Sequence, residues 1–207
     1  LHPLSLAYSG RWLHKDAETT FFVGASHNLG GGRHSSAADF NRARAGAGDD
    51  VRYTLARLGA GLRIRLPADW RLNLNVDGQY TRDRLVSAEQ FAAGGARSVR
   101  GFLEDEIADD QGYSLKTEVQ TPGVCLVINR AGAQCRLIAF YDAASVRRND
   151  VLPGVRGKTS IASVGLGLRL TLQEHLELKI DLARALNAGI TTARGNLGLH
   201  ASLLVTY

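Results

Sequence analysis

The stretch WRLNLNVDGQYTRD, residues 70–83, decides the fold class of this chain. Apolar side chains recur at every second position, and polar or charged side chains fill most of the positions between them. The apolar set is Trp70, Leu72, Leu74, Val76 and Tyr80, and the polar set is Arg71, Asn73, Asn75, Asp77, Gln79 and Thr81. A period of two is typical of a β-strand with two chemically different faces. The segment therefore predicts a β-strand that is about twice the usual length of five or six residues.

The same alternation recurs along the chain and predicts nine strands. Their ranges are 4–13, 17–29, 51–66, 70–82, 112–121, 135–146, 159–171, 174–186 and 196–207. Strands of about ten residues with one apolar and one polar face are typical of membrane-spanning β-barrels. A soluble β-sandwich would have shorter strands and less consistently charged opposite faces. We therefore predict an all-β fold, a transmembrane antiparallel β-barrel.

The connections between these strands alternate in length. Short connections are predicted at 14–16, 67–69 and 172–173, and long ones at 30–50, 83–111, 147–158 and 187–195. Bacterial barrels have short periplasmic turns and longer outer loops. The pattern therefore places the end of the chain on the periplasmic side.

Composition and motifs argue against several other classes. The chain has 207 residues, a net charge of +5 and no run of eighteen apolar residues. Its basic residues are spread singly and form no basic helix, which argues against a nucleic-acid partner. There is no G-x-S-x-G, H-E-x-x-H or P-loop, so we expect no enzyme activity, no cofactor and no metal. Asp109 and Asp110 could bind a cation, although two solvated loop carboxylates are the more ordinary interpretation.

Two cysteines, Cys125 and Cys135, flank LVINRAGAQ at a predicted periplasmic turn. Their spacing is not that of metal ligands. If the intervening residues form a hairpin, the two Cα atoms come within reach of a disulfide, which persists in an oxidising compartment. We predict a disulfide between Cys125 and Cys135, and two unrelated thiols are the alternative.

A second group of motifs lies in the C-terminal half of the chain. GGARSVRGFLEDE spans residues 94–106, and it is followed by GY, by an acidic residue before Pro122, by FYD and by IDLARAL…LGLHASLL. This order resembles the C-terminal barrel of the two-partner secretion transporters, the haemolysin and haemagglutinin secretion type, within the barrel-assembly superfamily. The resemblance covers nearly the whole chain and is densest from residue 94 onward.

The resemblance implies a fold larger than this chain. It implies a barrel of sixteen strands preceded by two polypeptide-transport-associated domains, of which the chain, residues 1–207, would be the last nine strands. The absence of Met agrees with a piece of a longer protein. It further implies a monomeric barrel in the lipid of the bacterial outer membrane, a secreted exoprotein partner, and transport without ATP. The loop 83–111 would be the sixth outer loop, which folds back into the lumen.

The resemblance also implies a loop-lock motif, which consists of Val99, Arg100, Gly101 and Phe102. A buried guanidinium needs partners, because an unpaired buried charge is expensive. Strand parity points Glu118 and Asp142 inward from the two strands that follow the loop. We therefore expect Arg100 to bind Asp142, with Glu118 as its second partner.

Glycines are predicted to let the loop approach the barrel wall closely. Gly101 would let the loop backbone pass close to a strand. Gly165 and Gly167 share an inward face and would form an inner groove for Phe102, or they would merely permit the strand to bend. The sequence departs from the family pattern after the FYD aspartate, where Ala143 and Ala144 stand at positions usually occupied by glycine.

Three functions are compatible with these features. The leading prediction is an outer-membrane pore that exports one partner exoprotein. The alternatives are a barrel-assembly insertase of the same superfamily and a passive porin with an inward loop. Parity also predicts a net basic lumen, which would be lined by Arg57, Arg63, Arg65, Arg71, Lys116, Arg136 and Arg169 and by Asp77, Glu118, Asp142, Glu177 and Asp181.

Overall fold

The computed structural model describes residues 2–30, 38, 52–124, 133–151, 154–172 and 176–206. Eleven strands are formed by these residues, and they are β1 Pro3–Leu13, β2 Ala17–Asn28, β3 Thr54–Arg65, β4 Arg71–Thr81, β5 Phe91–Ala93, β6 Ile107–Asp109, β7 Gln111–Gln120, β8 Ala133–Arg147, β9 Lys158–Leu172, β10 Leu176–Ala185 and β11 Leu197–Val205. Nine of them form one antiparallel sheet in the order β1-β2-β3-β4-β7-β8-β9-β10-β11. Within the described residues, no helix is both long enough and apolar enough to cross a membrane.

The nine predicted strands are confirmed, and each predicted end lies within three residues of the observed one. The sequence analysis missed β5 and β6, which pair with each other inside the long loop between β4 and β7. Three residues are too few to show a period of two, so these strands carry no readable alternation. Among the described residues, β1 and β11 each pair with a single neighbour, so the sixteen-stranded barrel and the preceding domains remain predictions.

The sheet has two chemically distinct faces, as the alternation predicts. On β8, Ile138, Phe140 and Asp142 are at most 3% exposed, whereas Leu137 and Tyr141, at alternate positions, are more than 40% exposed. The long loop covers the first set, and we call that side the inner face. The opposite side, the outer face, presents mostly Leu, Val, Ala and aromatic side chains.

The long loop, residues 82–110, has an apolar core of its own against the inner face. From the loop come Ala93, Val99, Phe102 and Ile107, and from β8, β9 and β10 come Ala144, Val146, Ile161 and Ala185. Fully burying one large apolar side chain contributes about 1.5–3 kcal/mol. This cluster therefore holds the loop to the wall before any charged contact is counted, and it fixes where the next residues of the loop must lie.

Candidate functional site

The loop-lock motif lies in a tight series of turns at the inner face. Gly94, Gly95 and Gly101 have positive φ angles of 135°, 79° and 88°, a region that glycine enters without steric cost. These turns bring Arg100 to the wall between the apolar core and the open part of the inner face. The Arg100 side chain is 1% exposed, and Val99 is fully buried beside it.

Arg100 binds Asp142 through two parallel hydrogen bonds. Its Nε donates to Asp142 Oδ2 at 2.7 Å and its Nη2 donates to Oδ1 at 2.9 Å. The backbone N–H of Arg100 donates to the same carboxylate at 3.2 Å. Asp142 is fully buried, so a planar fork of donors meets a carboxylate that has no access to water. A Lys ammonium cannot reproduce this two-pronged contact.

Two further carboxylates complete the surroundings of Arg100. Its Nη1 donates to Glu118 Oε1 at 2.6 Å and lies 3.4 Å from Asp181 Oδ2. Arg169 donates to both oxygens of Asp181, at 2.7 and 3.0 Å, and lies 3.5 Å from Glu118. The guanidinium also lies over the Phe140 ring, with 3.5 Å between Cζ and the ring centroid. Charge is thus shared over a network of two arginines and three carboxylates.

The network keeps Arg100 charged. Burial acts to lower the pKa of Arg100, but the hydrogen bonds and the charge of Asp142, together with Glu118 and Asp181, outweigh it and raise the pKa above its usual value. A buried charge of this kind is stable only while its partners remain. The position of the loop and the integrity of the network therefore depend on each other.

Gly101 passes within contact distance of β10 and β11. A Cβ added there would lie 2.9 Å from the Cβ of Ala183, and one added at Gly198 would lie 2.6 Å from the Cα of Gly101. The Gly101 N–H donates to His200 Nε2 at 2.9 Å, which requires that nitrogen to be unprotonated. Asp181 and His200 were not predicted as loop contacts, because they lie 81 and 99 residues along the chain from Arg100 and Gly101.

The predicted placement of Phe102 is wrong. Phe102 packs in the apolar core with Val146 and Ile161, not above Gly165 and Gly167. Both glycines do face inward, but the space above Gly165 is filled by the Phe140 ring. Side chains of Ile138 and Asp181 fill the space above Gly167. The Phe140 ring occupies this space because it packs against the guanidinium of Arg100.

A second anchor joins the long loop to the last outer loop. Glu106 Oε1 accepts hydrogen bonds from the backbone N–H groups of Thr191 and Thr192, at 2.6 and 2.8 Å. Its Oε2 accepts from the Thr192 hydroxyl at 3.0 Å and from Leu103 N–H at 3.3 Å. Burial acts to raise the pKa of Glu106, but the bonds from Thr192 and Thr191 outweigh it and lower the pKa. No sequence pattern links these distant loops.

Asp109 and Asp110 are both buried, so the interpretation of them as solvated loop carboxylates is wrong. Asp109 is 7% exposed and accepts a hydrogen bond from Arg148 at 3.1 Å. Asp110 is fully buried, and its carboxylate accepts from the backbone N–H groups of Leu85 and Asn149, each at 2.8 Å. These hydrogen bonds hold the base of the loop in position. In the part of the chain that the structure describes, no cluster of three or more His, Cys, Asp or Glu side chains could hold a metal ion.

The chain matches known proteins along most of its length. Residues 6–170 match the family described as haemolysin secretion/activation protein ShlB/FhaC/HecB. The chain belongs to this family. The heme/hemopexin transporter protein HuxB of Haemophilus influenzae is 22% identical over 201 residues, which cover 93% of this chain and 34% of that protein. The chain thus spans about a third of the length of the curated relatives it matches.

Solved structures show the same fold. CdiB from Escherichia coli has a TM-score of 0.74 at 16% identity, over 99% of this chain and 36% of that one. CdiB from Acinetobacter baumannii has a TM-score of 0.54 at 18% identity, over 99% of this chain and 42% of that one. As a member of the ShlB/FhaC/HecB family, the chain is part of a bacterial outer-membrane β-barrel. The inner face is then the lumen side, and we expect the outer face to contact lipid.

The lumen side carries a large basic cavity below the network, towards the short turns. Its volume is about 970 Å³. Ten basic side chains and five acidic ones line it, and they are Lys15, Arg63, Arg65, Arg71, Arg97, Arg100, Lys116, Arg136, Arg169 and Lys179, and Asp16, Glu18, Glu118, Glu177 and Asp181. Most of the residues predicted to face the lumen are among them. Arg57 lies elsewhere, because its Nη2 binds Glu89 of the loop at 3.0 Å.

The cysteine pair is only partly described. Cys135 is 3% exposed on β8, and it carries no free thiol. Cys125 lies outside the described residues. Its pairing with Cys135 therefore stays a prediction.

Proposed function

We propose that the full-length protein is an outer-membrane pore that translocates one partner exoprotein from the periplasm to the cell surface. The observation that carries this proposal is the buried two-pronged contact between Arg100 and Asp142 in a chain of the haemolysin secretion/activation family. A loop held inside the lumen by this contact and by its apolar core occupies the path that a passenger polypeptide must take. We propose that the loop is a defined part of that path.

The placement of the charges supports this role. Between the short turns and the loop lies the basic cavity, which an unfolded passenger would meet first. Lys116 joins the wall of this cavity to the loop, because its Nζ donates to the backbone carbonyls of Ala96 and Arg97 at 3.1 Å each. A passenger that displaced the loop would therefore break contacts to Lys116 and to Asp142 together.

We propose that transport requires no ATP. The chain contains no nucleotide-binding motif, and the periplasm supplies no ATP. Folding of the passenger outside the cell would supply the free energy of movement.

The proposal is tested by depleting the full-length protein and measuring secreted proteins and outer-membrane barrels by quantitative mass spectrometry. We expect the loss of one secreted protein, at unchanged levels of other barrels, and its return on complementation. A general loss of outer-membrane barrels would instead identify an insertase. A third outcome, unchanged secretion together with a large steady conductance that is indifferent to Arg100→Ala, would identify a passive porin.

A further inference from the structure

Charged side chains are distributed unevenly over the lipid-facing outer face. In the nine long strands as described, three outward positions carry side chains that are charged at neutral pH, and they are Arg147, Lys158 and Arg184. All three are cations, and all three lie at the strand ends that adjoin long loops. The short-turn ends present Leu, Ile, Val and Trp outward instead. Among the strand residues that the structure describes, this asymmetry places outward positive charge at the long-loop end and none at the short-turn end.

Two of these cations form a pair. Arg147 and Lys158 are direct partners in the register of β8 and β9, so their Cβ atoms are about 5 Å apart on one face. Both side chains are exposed, and neither forms an ion pair or hydrogen bond with a residue that the structure describes. Like charges placed directly opposite each other destabilise a sheet. An anion bound between Arg147 and Lys158 would attract both cations, so the net repulsion between them would become a net attraction.

A groove adjoins the pair. It has a volume of about 680 Å³ and is lined by Tyr80, Tyr113 and Val151 as well as by Arg147 and Lys158. The two tyrosines are more than half exposed, and aromatic rings at this depth are typical of the membrane interface. Its volume falls within the range of roughly 300–1,000 Å³ that small-molecule sites occupy.

We propose that this groove binds the phosphorylated headgroup of an outer-leaflet glycolipid. The two cations would hold one phosphate group, with the Arg147 guanidinium as a forked donor and Lys158 as a point charge. The tyrosine rings would contact the sugar and the first carbons of the acyl chains. The site opens towards lipid at the long-loop end, and the outer leaflet at that end is built from phosphorylated glycolipids. The positive charge of the pair, its depth in the membrane and the direction in which the groove opens thus all indicate a phosphorylated glycolipid.

The free-energy cost of placing two cations towards lipid is consistent with a site near the membrane interface. An Arg or Lys side chain that faces lipid destabilises a barrel strongly at the bilayer midplane but very little near an interface. The pair is therefore tolerated where it lies. Removing its charges should relieve repulsion, so neutral variants are expected to fold and to be at least as stable in detergent without glycolipid.

The test uses the purified full-length protein in neutral detergent, titrated with fluorescently labelled diphosphoryl lipid A. A cation near a membrane surface contributes about fivefold in affinity, so the double variant R147Q/K158Q should bind about 30-fold more weakly. The matched control is R184Q, which removes an outward cation from the long-loop end of another strand, outside the groove, and should bind within about twofold of wild type. The charge-retaining variant R147K/K158R should keep most of the affinity.

Three further probes identify the ligand. Dephosphorylated lipid A and phosphatidylglycerol should bind weakly, and inorganic phosphate should compete only at high concentration. Heat-modifiability on gels checks that each variant is folded. The proposal is overturned if R147Q/K158Q binds diphosphoryl lipid A as wild type does, if R184Q loses as much affinity, or if dephosphorylated lipid A binds equally well. Tighter binding of an acidic peptide than of lipid A would reassign the groove to a protein partner.

Discussion

Arg100→Ala should release the long loop from the wall of the barrel. The substitution leaves Asp142 fully buried with the loss of two charge-assisted hydrogen bonds, of 2.7 and 2.9 Å. Breaking a buried ion pair by removing one partner costs about 3–5 kcal/mol. With a factor of ten for each 1.4 kcal/mol, the population of the detached loop should rise about 100- to 4,000-fold. The nine strands are untouched, so the barrel should remain folded.

Three further variants show how much of this release comes from each partner of the ion pair and from its two-pronged geometry. Asp142→Ala should release the loop similarly, although Arg100 then keeps Glu118 and Asp181. The double variant should release it by less than the sum of the two single effects, because no unpaired partner remains. Arg100→Lys loses at least one hydrogen bond to a charged group, worth about 1.5–3 kcal/mol, and should release the loop about 10- to 100-fold.

Hydrogen exchange measures the release directly. The amide of Gly101, bonded to His200 in the native loop, should exchange faster in each variant by the factors given above, followed by mass spectrometry of peptides covering 94–106. The matched control is Arg97→Ala, because Arg97 is an exposed arginine of the same loop. Wild-type exchange in Arg100→Ala, or equal acceleration in Arg97→Ala, would refute the reasoning.

Four other outcomes are expected. Gly101→Ala should accelerate hydrogen exchange in its own loop more than Gly154→Ala does in its loop. Both glycines have positive φ, of 88° and 81°, but only a Cβ added at Gly101 meets a neighbouring side chain. Equal acceleration would show that backbone strain alone is the cause. Because the pKa of Glu106 is lowered in the folded state, its contribution is complete above the ordinary value of about 4.3 and is lost as the pH falls through the lowered value. Protection of the last outer loop should therefore decline as the pH falls below that ordinary value in wild type but not in Glu106→Gln, and identical pH profiles would contradict this. Thiol titration without reductant should find Cys125 and Cys135 oxidised, and two reactive thiols would disprove the disulfide. The excess of basic over acidic side chains in the cavity should give the full-length pore a slight anion preference at low salt in planar bilayers, and cation preference would contradict the parity assignment.

The strands were predictable because their signal is local. A strand with one face in lipid and one in water must alternate at every position, and β4 and β8 show this in their sequence alone. Parity also points Glu118 and Asp142 inward, and the register then places them on adjacent strands. The partners of Arg100 on β7 and β8 thus follow from counting, given the resemblance that draws attention to the loop.

The remaining contacts were not predictable because they depend on packing between distant segments. Asp181 faces inward by the same parity, but no local pattern shows that β10 reaches Arg100. Glu106 reaches Thr192 from eighty-six residues away. Phe102 was misplaced because the sequence does not show that Phe140 already fills the space above Gly165.

Secretion by the four-member set of wild type, Arg100→Ala, Asp142→Ala and the double variant tests the central claim most directly. The partner exoprotein is quantified in the medium, and heat-modifiable barrel in the outer membrane is quantified in parallel. We predict normal barrel abundance in all four, sharply reduced secretion in both single variants, and a double variant no worse than the more impaired single. Full secretion by Arg100→Ala at normal barrel abundance would contradict the account.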